Sequence, residues 1–132
     1  MSADIQERFE VIEECYEFML AYAAQGLTSD KGSESGRQVR EFLNRAVKAL
    51  AGLPDHCAEA MGDDRLTFLH VLAADVNSSL SALELVLAQP SISSQLIDNL
   101  NASVHLRALL TDIFLLGEVL RAQQVATQAA GS

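Results

Sequence analysis

The sequence predicts an all-α fold: an antiparallel up-and-down four-helix bundle with a short extra helical turn between helices two and three. Three observations lead to it. Apolar residues recur at alternating steps of three and four along four long segments. No stretch alternates apolar and polar residues as a half-buried strand would. The links are mostly short and rich in Gly, Ser and Pro, which favours antiparallel neighbours. With 132 residues, 49% of them apolar, the chain suits one core. We expect a single domain over 1–128 and a frayed tail over 129–132.

The first segment, about Ser2 to Gln25, carries Ile5, Phe9, Ile12, Tyr16, Met19 and Ala23 on one stripe. Val11, Cys15, Phe18 and Tyr22 widen it, and Glu7, Glu10, Glu13, Glu14 and Glu17 gather opposite, as in a long amphipathic helix. The second, Gly36 to Leu53, repeats the pattern with Val39, Phe42, Leu43, Ala46, Val47 and Leu50. Its outer face is basic, with Arg37, Arg40, Arg45 and Lys48. An acidic and a basic face joined by a short link should lie antiparallel and exchange charge along their flanks. Exposed pairs of that kind are worth at most about 1 kcal/mol each, so they orient more than they stabilise.

Between the two lies GLTSDKGSESG, residues 26–36. It lacks the Lys-Ser/Thr ending of a phosphate-binding loop and follows a helix rather than a strand. Gly26 suits a left-handed C-cap, and Ser35 to Gln38 has the spacing of a capping box. The run therefore reads as a flexible hinge. Gly52, Leu53 and Pro54 stop helix two, and DHCAEAMG forms the extra turn. Helix three runs from Arg65 to about Ala88 after an Asp63–Asp64 start, with a seam of Leu69, Leu72, Val76, Leu80, Leu83 and Leu87. Pro90 and Ser91 punctuate, and helix four spans Ile92 to about Val125, with a break or kink expected near Asn99 and Asn101.

Composition excludes several functions. A net charge of −9 argues against nucleic acid, whose phosphates demand clustered Lys and Arg, and against an anionic membrane surface. No long uncharged apolar stretch or secretory leader is present, so a cytoplasmic location is expected. Cys15 and Cys57 fit neither a disulfide framework nor a zinc pattern. None of His56, His70 and His105 follows a Glu or Asp by three residues, as a di-iron bundle requires. His70 falls on the polar side of helix three. No nucleophile stands beside a base motif. We expect no catalytic, cofactor or metal site and no enzyme activity.

Helix four is the most informative segment. Leu106, Leu109, Leu110, Ile113, Leu116 and Leu120 supply its core seam, and Arg107, Thr111, Glu118 and Arg121 its polar side. At 100° per residue, Phe114 lands inside that polar arc, Leu115 at its border, and Val119 widens the apolar flank. A surface helix this apolar needs a cover. Phe114, Leu115 and Val119 are therefore the candidate interface residues of a non-enzymatic module that self-associates, most simply as a dimer. An alternative is an acidic chaperone or adaptor holding an amphipathic helix of a client. In size, acidity and its amphipathic last helix the chain resembles small chaperones of bacterial flagellar and type III export; no motif carries residues over. A second alternative is a metal- or small-ligand-binding bundle using His56, Cys57 or the helix-one glutamates.

Overall fold

Helical periodicity is realised throughout. A computed structural model describes residues 3–61 and 67–131, which form six helices: α1 Ala3–Ala24, α2 Glu34–Leu50, α3 Leu53–Met61, α4 Phe68–Leu87, α5 Ser94–Ala102 and α6 Val104–Gly131. The stripes predicted to be apolar supply the core: Ile5, Phe9, Ile12 and Met19 from α1, Val39, Leu43 and Leu50 from α2, Leu72, Val76 and Leu83 from α4, and all six seam residues of α6.

Two expectations about element number are corrected. The extra turn is a nine-residue helix, α3, with Leu53 and Cys57 buried beneath it. Pro54 sits in its first turn, where a missing N–H costs nothing. The expected fourth helix is two helices broken at Ser103, just past the asparagines. Ser103 is extended (φ −63°, ψ 147°) and ends α5, while its Oγ accepts from Leu106 N (3.3 Å) to start α6. One serine thus caps both helices. The backbone of α6 stays helical to Gly131, three residues into the segment expected as a tail. The Asp63–Asp64 pair and Arg65 lie outside the described residues.

Helices α1 and α2 run antiparallel, but of the expected charge exchange between their faces one pair forms among the described residues, Arg45 with Glu14. Near one end, Arg8 donates to the carbonyls of Lys48, Ala49 and Ala51 (3.4, 3.1 and 3.0 Å), placing a cation at the negative end of α2. Further along lie that single pair (3.5 Å) and the stacked rings of Phe18 and Phe42, with centroids 4.3 Å apart. The α4/α6 pair is antiparallel too. Ser79 Oγ donates to the His105 carbonyl (3.0 Å), and Asp75 meets Asp112 two turns further along α6.

Residues 26–36 are not a hinge. Gly26 takes the expected left-handed conformation (φ 66°), but the chain beyond it is tied to the α4–α5 turn. Leu27 exchanges two hydrogen bonds with Ser94: its N–H donates to Ser94 Oγ (2.9 Å), and its carbonyl accepts from Ser94 N (2.8 Å). Ser94 Oγ in turn donates to the Tyr22 carbonyl (2.6 Å), and the Tyr22 hydroxyl to the Ile92 carbonyl (2.7 Å). At the centre is Asp30, only 7% exposed. It accepts from Arg40 Nε and from Ile92 N, both at 2.7 Å. Arg40 also donates to the carbonyls of Leu87 and Gln89 (3.1 and 2.8 Å). One ion pair therefore clasps the α1–α2 link, α2 and the end of α4. Burial by itself would raise the Asp30 pKa; the hydrogen bonds from Arg40 and Ile92 outweigh it and hold the carboxyl below its usual value.

The clasp also shifts the predicted cap. Ser33, not Ser35, caps α2, its Oγ accepting from Gly36 N (3.0 Å). Gly36 lies against the link so closely that a Cβ there would sit 1.7 Å from the Asp30 carbonyl oxygen. Only glycine fits the first turn at that point, and the capping serine must stand three residues before it.

Candidate functional site

The three residues singled out on the last helix are all at the surface of α6, but they face two ways. Phe114 is 54% exposed, Leu115 54% and Val119 44%. Leu115 and Val119 are one turn apart on the same side. Phe114, about 100° around the helix from Leu115, points toward α1.

On the outer side, Leu115 and Val119 belong to a longer stripe. Val104, Ala108, Thr111, Leu115, Val119, Ala122 and Ala126 follow at steps of four, three, four, four, three and four, the spacing of a helix–helix seam. All are exposed except the half-buried Ala108. Thr111, the polar member, already donates its hydroxyl to the Arg107 carbonyl (3.0 Å), so covering it would strand no donor. From Arg121 to Ala126 every side chain is exposed. The helical backbone continues about 16 Å past Leu120. A helix so exposed depends on contacts beyond the main seam for much of its stability.

On the other side, α1 and α6 bound a groove of about 510 Å³. Buried Phe9, Ile113 and Gly117 floor it, Phe114 stands at one wall, and Glu10, Glu13 and Glu118 rim it.

Sequence reasoning missed a carboxyl pair at the α4/α6 seam. Asp112 is 4% exposed, and its Oδ2 has no hydrogen-bond partner among the described residues. Burial first, then the hydrogen bond and negative charge of Asp75, push its pKa up to about 7. Two carboxylates this close cannot both ionise cheaply, so the pair holds a proton far above the ordinary carboxylate range. The signal was present on the helical wheel: Asp112 falls among Leu109, Leu116 and Val119 rather than with Arg107 and Glu118.

Comparison with family models, with curated proteins and with solved structures finds no match. The functional reading therefore rests on the geometry of this chain.

The remaining candidates are dispersed. Cys15 and Cys57 are free and buried, and burial pushes their thiols up to about 12 and about 11. His56 Nδ1 lies 3.3 Å from Asp4 Oδ2, and His70 is exposed. Among the described residues, no three His, Cys, Asp or Glu side chains gather as metal ligands would, and no helix is long and apolar enough to cross a membrane.

Proposed function

We propose that this chain is a non-enzymatic interaction module, an antiparallel helical bundle that pairs with a second copy of itself along the outer face of α6. The observation that carries the reading is the exposed seam from Val104 to Ala126. Its steps read the same from either end about Leu115. An antiparallel two-fold pair therefore matches Leu115 with Leu115, Thr111 with Val119, Ala108 with Ala122 and Val104 with Ala126. A two-fold dimer needs such a self-complementary surface, and the alanines let the helix axes approach closely. The same contact gives packing to the part of α6 that lies beyond its own core.

The test is sedimentation velocity on the full chain and on a Leu115→Glu/Val119→Glu double variant. The native chain should sediment at twice the monomer mass at micromolar concentration. The variant should be monomeric yet still folded, with a cooperative circular dichroism melt at a midpoint no higher than that of the native dimer, because both residues are exposed in the single chain and four carboxylates would face one another across the axis. A native chain that stays monomeric when concentrated, or a double variant that still pairs, rejects the reading.

A further inference from the structure

The α1/α6 groove lies on the other flank of α6 from the self-pairing seam, and its chemistry is different. We infer that it is a docking site for a short basic amphipathic helix of a partner protein, one that places an apolar side chain against Phe114 and a Lys or Arg beside Glu13. Three observations point to that occupant.

The first is charge. Glu10, Glu13 and Glu118 rim the groove, with Arg121 the cation on it. Glu13 is half-buried and makes no ion pair among the described residues, whereas Glu10 accepts from Gln6 (3.2 Å). A half-buried carboxylate beside an apolar wall is a ready partner for a cation, since the interaction strengthens as water leaves.

The second is shape. Two antiparallel helices form the walls, and Gly117 opens a notch between them where any other residue would fill the floor. Over the lined span of α1, Gln6 to Glu13, the groove is about 10 Å long, enough for two turns of a docked helix.

The third is what already sits in the notch. Arg121, held by Glu118 (2.6 Å), folds back so that both terminal nitrogens lie 3.6 Å from where a Gly117 Cβ would be. The chain's own guanidinium thus rests in the groove against Glu118 and leaves Glu13 for a partner's cation. It shows that the notch accepts that group, and it swings out by rotation of an exposed side chain when a partner arrives.

The probe is a dye-labelled synthetic helix of leucine and lysine, about four turns long, read by fluorescence anisotropy against the full chain. A matched leucine–glutamate helix controls for grease. Glu13→Arg should weaken binding of the lysine helix about tenfold. Glu41→Arg, the same charge change on an exposed site of α2, should leave it unchanged. Glu13→Gln, which keeps size and shape, should give a smaller loss and serves if the reversed variant folds poorly. No binding of the lysine helix overturns the proposal. So does equal weakening by the changes at 13 and 41, which would mean diffuse attraction to an acidic surface. So does a Glu13→Arg variant that binds the helix normally but changes its own sedimentation, which would assign the groove to a second copy. The proposal is independent of self-pairing, because Leu115→Glu/Val119→Glu should bind the lysine helix like the native chain.

Discussion

Replacing Asp30 with alanine should destabilise the protein by about 3 kcal/mol, the low end of what breaking a buried ion pair costs, because Arg40 keeps some access to water. Two groups lose a partner at once, Arg40 Nε and the Ile92 N–H, and with them goes this tie between the link and the rest of the fold. The loss should appear as a lowered urea midpoint with an unchanged slope. Asp30→Asn should recover part of it, since the amide oxygen can still accept from Ile92 N. The pH dependence has a definite sign. The folded pKa of Asp30 is lowered, so its contribution is complete above the unfolded value, about 3.9, and is lost as pH falls through the folded one. Native protein should therefore lose stability in strong acid, and the alanine variant should lose less. Equal stability of variant and native chain at neutral pH would mean that the clasp is ornamental and the link is a hinge after all.

Asp112→Asn should do the opposite and stabilise the fold above neutrality. Below about pH 4 the Asp112 carboxyl is protonated in both folded and unfolded chains. As pH rises, the unfolded carboxyl ionises while the folded one keeps its proton until about 7. The folded state binds more protons across that window, so stability falls as pH rises through it. Asp75 from α4 is the titratable group that faces it, while α1 presents Glu10 and Glu13 to the opposite flank of α6. The decline should be on the order of 2–4 kcal/mol between pH 4 and pH 7. An asparagine fits the same space, does not ionise, and can donate to Asp75. Its melting temperature should be nearly flat over that range and higher than native at pH 8, with the two proteins close at pH 4. A variant less stable than native at pH 8 would show that the buried carboxylate is ionised and satisfied in the folded protein.

These two aspartates mark the limit of what the sequence discloses. Helical periodicity placed the seams of α1, α2, α4 and α6 because burial follows a wheel, and each predicted stripe packs inward. Phe114 is exposed, as its place on the arc shared with Arg107 and Arg121 implies. Link residues have no periodicity, so nothing in GLTSDKGSESG announces that Asp30 finds Arg40 ten residues away and Ile92 across the fold. The cap on α2 slipped by two residues because Ser33 and Ser35 are equally good caps in isolation. The choice is made by the contact of Gly36 with the Asp30 backbone. The two-faced character of α6 was half legible: the wheel gives the exposed arc, but only α1, lying alongside, divides it into a groove and an open seam.

A single cysteine at position 115 tests self-pairing most directly. Cys15 and Cys57 do not compete, since burial keeps both thiols protonated at neutral pH. In the antiparallel pair the two copies of residue 115 meet at the axis, whereas the two copies of residue 126 stand about 33 Å apart along it. Under mild oxidation at micromolar concentration, Leu115→Cys should convert rapidly to a covalent dimer and Ala126→Cys should stay monomeric. Equal rates for the two, or no dimer from Leu115→Cys, would contradict the account.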